Sequence, residues 1–233
     1  MATLVELSYK SGADNIPTGM DVSGKGRVYY ETIYDRLLSS VTSSSELPHL
    51  IAVTSCNIGE GVSTVASNLA VTLAGHSNER VLLVDANFHH PSAHKIFGVN
   101  LFPGLIEILE DSQDSKTAIK PSTVENLFIL SAGAKKSEIS DEYESQVFAD
   151  LLNILKQDYS FIVFDTPPMS EGNCAVRLAG LADGVILVVE AEQVRWQVAQ
   201  RAKERLVHAK ANMLGVVLNK RKFHVPAWLY RRL

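Results

Sequence analysis

Leu50-Ile51-Ala52-Val53-Thr54-Ser55 leads into Cys56-Asn57-Ile58-Gly59-Glu60-Gly61, and that into Val62-Ser63-Thr64-Val65-Ala66-Ser67-Asn68-Leu69-Ala70-Val71-Thr72-Leu73. An apolar run of strand length, a loop with two glycines and a helix-forming stretch follow one another. That order has the outline of a phosphate-binding loop, G-x-x-x-x-G-K-[ST]. Two defining positions are changed: Cys56 stands at the first glycine and Val62 at the lysine.

What remains still suits an anion. Gly59 and Gly61 reach backbone conformations closed to other residues and let the chain approach a phosphate closely. A helix starting near Val62 offers free N–H groups and the positive end of its dipole. Ser63 stands where a hydroxyl reaches Mg²⁺. Val62 removes a cation from the β- and γ-phosphates, and a hydrogen bond to a charged group contributes roughly 1.5–3 kcal/mol. Asn57 and Glu60 fill the nearby polar positions, and Glu60 is expected to add negative charge beside the phosphates. Cys56 has two readings, a thiol activated by the helix N-terminus or a small residue filling a tight loop.

Further strands are expected at 80–85, 126–131, 161–165, 185–190 and 214–219. Each is short, rich in Val, Ile and Leu, and apolar on both faces, as in a sheet covered by helices on each side. Helical stretches at 63–74, 146–156 and 192–211 alternate with them. Such alternation predicts an α/β fold with a doubly wound, mostly parallel sheet. Ahead of the first strand, Tyr30, Ile33, Tyr34, Leu37, Leu38 and Val41 recur at helical spacing on one face. That helix has either the sheet flank or a second subunit to pack on.

Ligands of such sheets bind beyond the carboxyl ends of the strands. There the first strand meets the glycine loop, the second ends in Asp85, the Phe161 strand ends in Asp165-Thr166-Pro167-Pro168 and the last ends in Asn219. Two carboxylates beside a glycine loop point to a nucleotide–Mg²⁺ site, with Ser63, Asp85 and Asp165 as metal ligands. His89, His90 and His94 fit no zinc spacing.

The 233 residues carry a net charge of −4. Five bases and no acid lie in 220–233, which leaves 17 bases against 26 acids in the remainder, near −9. An acidic body argues against nucleic-acid binding; the basic and aromatic tail suits a contact with an anionic surface or partner. No apolar run reaches the roughly 18 residues of a membrane span, 1–10 lacks the pattern of a secretion signal, and two cysteines are too few for a disulfide framework. A reduced, cytoplasmic protein is expected.

Ser55-Cys56-Asn57-Ile58-Gly59-Glu60-Gly61-Val62-Ser63-Thr64 resembles the Walker A segment of bacterial tyrosine kinases of the capsular and exopolysaccharide type. Val84-Asp85-Ala86-Asn87-Phe88-His89-His90-Pro91 resembles their second Walker motif, and Phe164-Asp165-Thr166-Pro167-Pro168 their Walker B strand. Leu214-Gly215-Val216-Val217-Leu218-Asn219 resembles a strand of the related partition ATPases whose Asn touches the adenine. The resemblance implies a P-loop NTPase fold in 28–219; the polar, aperiodic residues 1–27 are expected as a flexible arm and 220–233 as a basic, aromatic tail. It implies ATP or ADP with Mg²⁺ as ligand, held by Gly59, Glu60, Gly61, Ser63, Thr64 and Asn219, with Asp85 and Asp165 catalytic. It also implies autophosphorylation of a C-terminal tyrosine, here Tyr230, and work with a membrane-embedded partner of polysaccharide polymerisation or export. A homologous kinase or a second copy of the chain is a further partner, and the protein is expected at the inner membrane surface through its partner.

Several active positions depart from that pattern. Val62 replaces the lysine, Asn87 the second aspartate, and His89 and His90 occupy the arginine region; Cys174 falls where an Asp often follows the proline pair, and the tail has one tyrosine rather than a cluster. The leading expectation is therefore a kinase-like protein with lost or weakened catalysis. An active autokinase is the first alternative, with Lys135, Lys136 or a neighbouring subunit's lysine restoring the charge. A partition-type positioning ATPase is the second.

Overall fold

A computed structural model describes residues 3–6, 25–40, 47–111, 114–133 and 146–221. Tyr230, Lys135, Lys136 and all but the first two residues of the basic tail lie outside them, as does most of the 1–27 arm. Among the described residues eight strands form one sheet: β1 Thr3–Glu6, β2 Leu50–Ser55, β3 Val81–Asp85, β4 Ile119–Pro121, β5 Leu127–Leu130, β6 Phe161–Asp165, β7 Gly184–Glu190 and β8 Met213–Asn219. Their order is β1-β8-β7-β2-β6-β3-β5-β4, and every pairing is parallel except that of β4 with β5. The expected doubly wound, mostly parallel sheet is the fold observed.

Among the described residues eight α-helices cover it: α1 Lys25–Ser40, α2 Val62–Ser77, α3 Ala93–Phe97, α4 Leu105–Asp111, α5 Ser115–Ala118, α6 Gln146–Asp158, α7 Cys174–Leu181 and α8 Trp196–His208. Side chains alternate across each strand, and the cores divide accordingly. Ile51, Val53, Leu83, Val163 and Ile186 meet α2 and, through Ile33 and Leu37, α1. Leu82, Ile162 and Phe164 meet α4 and α6 on the other face, beside the contacts of Ala52, Val185 and Leu187 with α7 and α8.

Helix α2 is apolar or small almost all round because it lies between the sheet and α1. The amphipathic segment around Tyr30 therefore packs on its own domain, with Tyr34 and His76 in ring contact at 5.0 Å. Helix α2 runs past the expected end to Ser77 and stops where Asn78 takes a left-handed φ of 55°. Strand β1 lies within the segment expected as an arm and pairs with β8 in register, Thr3 opposite Gly215.

Leu69 of α2 is fully buried between sheet and α1. Leu69→Ala should cost about 2–5 kcal/mol of stability in urea unfolding, against less than about 0.5 kcal/mol for Leu38→Ala on the exposed side of α1.

Candidate functional site

Strand order assembles the site. β6 lies between β2 and β3, so Asp165 is in register with Val53 on one side and with Asp85 on the other. The loop following β2 passes over the same edge. Gly59 and Gly61 both take left-handed conformations, with φ of 84° and 96°. Gly61 is the N-cap of α2, and a Cβ there would run into the Asn219 amide, so two constraints select glycine.

Asp85 and Asp165 are both buried, yet their surroundings differ. Asp85 accepts three backbone N–H groups: Asn87 at 3.2 Å on Oδ1, and Ser92 and Ala93 at 2.8 and 2.9 Å on Oδ2. It hangs the whole 86–93 loop on the end of β3. Burial nevertheless lifts its pKa to about 6, against the opposing pull of those three donors. Asp165 has weaker support. The Ser92 hydroxyl approaches Oδ2 at 3.5 Å, and the Ser63 hydroxyl also favours the charged form. Oδ1 is buried without a hydrogen-bond partner among the described residues. Burial first, and the neighbouring Asp85 charge second, hold the Asp165 pKa well above the usual carboxylate range.

An orphaned buried carboxylate oxygen, a second carboxylate and a hydroxyl from the first turn of α2 fit a hard divalent cation. Mg²⁺ takes one or two carboxylates and completes its shell with water and phosphate oxygens, so a closed protein cage is not required. No group of three His, Cys, Asp or Glu side chains that could hold a metal occurs among the described residues. His89 and His90 are exposed. His90 lies 3.5 Å from Glu171, linking the loop after β3 to the 3-10 turn Met169–Glu171 after β6.

The remaining loop residues depart from expectation in instructive ways. Glu60 does not face outward: its buried carboxylate turns back to accept the Cys56 and Asn57 backbone N–H groups and the Asn57 side-chain amide. It closes the loop from within, and desolvation raises its pKa despite these donors. Cys56 is no activated thiol, since burial and the nearby Glu60 push its pKa up to about 12; it fills space. Val62 is buried in the apolar cluster with Ile33, Leu37 and Val65, and so belongs to the core. Thr64 is exposed one residue beyond Ser63. Asn219 donates to the Glu60 carbonyl at 2.8 Å and accepts from the Lys220 N–H at 2.9 Å, which leaves one amide N–H for a ligand.

Four contributors escaped the sequence reading: Ser92, Glu171, Glu190 and Lys220. Each lies at or just beyond a strand's carboxyl end, which is the one signal that singles them out.

Comparison with known proteins agrees with this geometry. The family profile described as ParA, NUBPL iron-transfer P-loop NTPase, matches residues 46–229. Tyrosine-protein kinase YwqD of Bacillus subtilis (strain 168) is 31% identical over 172 residues, covering 74% of this chain and 72% of the relative. The crystal structure of the chimerical protein CapA2B2 superposes with a TM-score of 0.85 at 25% identity, over 95% of this chain and 96% of that one. The septum site-determining protein MinD of Pyrococcus horikoshii OT3, complexed with Mg-ADP, gives a TM-score of 0.63 at 25% identity, over 78% and 75% of the two chains.

The carboxylate pair carries a pH signature. An unfolded Asp titrates near 3.9 and folded Asp85 at about 6, so the folded state binds more protons between those values. Stability without a divalent cation should therefore fall as pH rises from about 4 through about 6, and stay lower above. Asp165→Asn should flatten that fall and raise the melting temperature at about pH 7.5. Mg²⁺ should raise the wild-type melting temperature more at about pH 7.5 than at about pH 5. Thermal unfolding at the two pH values, with and without Mg²⁺, checks all three.

Proposed function

We propose, from the premise that this chain belongs to the ParA family of P-loop NTPases and, within it, to the bacterial tyrosine-protein kinases, that it is a nucleotide-binding pseudokinase of exopolysaccharide or capsule biosynthesis. One observation carries the reading: Asp85, Asp165 and Ser63, the residues that would hold Mg²⁺, lie together while the P-loop lysine position is a core valine. Asp165, Asp85 and Ser63 remain gathered at the head of α2, and Val62 is buried in the apolar cluster between sheet and helices.

These groups divide the work unequally. Gly59 and Gly61 shape a backbone able to donate N–H groups to a diphosphate. Ser63 and Asp165 would hold Mg²⁺, with Asp85 fixing the loop beside them and supplying a second carboxylate. Bound Mg²⁺ would neutralise phosphate charge and restore both carboxylates to their ionised form. Charge on a transferring γ-phosphoryl group then lacks the lysine, and that loss weighs most heavily in the transition state, where catalysis is positioning and electrostatics. The nucleotide thus serves as a structural ligand. The protein acts through a membrane-embedded polysaccharide co-polymerase or export partner, or through a homologous kinase.

Calorimetry with Mg-ADP and Mg-ATP tests this directly. Because the missing lysine would have distinguished ATP, the two affinities should agree within about threefold. Purified protein should carry no phosphotyrosine at Tyr230. Val62→Lys should favour Mg-ATP by about tenfold or more and produce phosphotyrosine. Robust wild-type phosphorylation that disappears in Asp85→Asn and Asp165→Asn would overturn the pseudokinase reading in favour of an active autokinase.

Membrane association is proposed to run through the partner and the basic, aromatic 220–233 tail. No helix among the described residues is long and apolar enough to cross a membrane. Deleting 221–233 should move the protein from the membrane to the soluble fraction of its own cells; unchanged fractionation counts against the tail's role.

A further inference from the structure

The glycine loop is braced from outside as well as from within. Two consecutive loop carbonyls are engaged by the end of β8: the Glu60 carbonyl accepts from Asn219 Nδ2 at 2.8 Å, and the Gly59 carbonyl from Lys220 Nζ. The same ammonium lies 3.0 Å from Glu190 Oε2, at the end of β7. Lys220 reaches this position by taking a left-handed φ of 56°, with its own N–H held by Asn219 Oδ1 at 2.9 Å.

A trans peptide points its C=O and N–H in opposite directions. Fixing the Gly59 and Glu60 carbonyls on β8 therefore turns the N–H groups of Glu60 and Gly61 away from β8. Among the described residues neither N–H donates to a backbone or side-chain acceptor, so both remain for an anion. The loop's own carboxylate, Glu60, is already spent on Cys56 and Asn57.

An exposed Lys–Glu pair by itself contributes little. Here the ammonium also commits a loop peptide, which a surface ion pair does not do. It is also a cation against the glycine loop, at a site where the motif's own lysine position holds Val62.

We propose that Lys220 is a positioning residue for the phosphate cradle: it holds the Gly59 peptide so that the loop presents its N–H groups to the diphosphate of a nucleotide. Glu190 orients the ammonium, and Asn219 completes the grip on the next peptide. The inference rests on the nucleotide reading above and deepens it, since it places the organising cation on β8 rather than on α2.

Lys220→Met, Lys220→Arg and Glu190→Gln, each in the full chain, test it by two independent measurements. In calorimetry, Lys220→Met should weaken Mg-ADP by about tenfold and leave adenosine, which has no phosphate, unchanged. Lys220→Arg should recover most of the loss, and Glu190→Gln should weaken Mg-ADP less than Lys220→Met. In hydrogen exchange of the ligand-free chain, Lys220→Met should speed the Cys56 and Asn57 amides, which the Glu60 carboxylate holds, by about tenfold while α8 keeps the wild-type rate. Equal losses for Mg-ADP and adenosine would overturn the proposal by reducing Lys220 to general support. Unchanged loop exchange would overturn it too. A wild type that binds no Mg-ADP would sink the nucleotide reading, and loop exchange alone would then decide whether Lys220 braces the loop.

Discussion

Two carboxylates on adjacent strands, in register and away from water, are the constraint around which the site is arranged. Burying one carboxylate is costly, and burying a second beside it costs more because the charges repel. Asp85 offsets its cost with three backbone donors and thereby fixes the 86–93 loop. Asp165 has two hydroxyls near one side and an unpartnered oxygen on the other. Such an arrangement costs stability in the cation-free state, and a buried, perturbed carboxylate pair of this kind is the usual sign of a site shaped for a ligand.

The glycine loop answers to the same economy. Its Glu60 and Gly61 N–H groups stay unengaged among the described residues while other groups satisfy the remaining polar atoms: Glu60 caps two N–H groups at the loop's start, and Asn219 and Lys220 take two carbonyls at its end. Val62, by joining the core beneath α1, makes the head of α2 part of the hydrophobic packing. The two left-handed glycines and the carboxylate pair therefore stand beside a lysine position that a core valine occupies.

Central strands were legible because β2, β3, β5, β6, β7 and β8 are short apolar runs flanked by polar residues, each within two residues of its expected bounds. Smaller elements were not. β4 is three residues long and ends in Pro121, so it has no alternation to detect and is tolerated as an antiparallel edge. β1 has four residues in a polar neighbourhood and exists only by pairing with β8. α3, α5 and α7 are too short to display a helical period. α8 starts at Trp196 rather than 192 because Glu192 takes a left-handed φ of 65°, breaking the stretch into a turn and then a helix.

Local sequence determined the strand–loop–helix unit, the aspartates at two strand ends, the glycines where left-handed backbone is needed, and the absence of the loop lysine. These follow from residue type and short-range periodicity, which act over a few positions. Tertiary structure alone decided that β6 sits between β2 and β3, which makes neighbours of Asp85 and Asp165. It also decided that Val62 belongs to the core and that Lys220 closes on the Gly59 carbonyl from 161 residues away. Those outcomes depend on strand order and on which buried polar groups find partners, and both are settled by contacts between segments that no local pattern encodes.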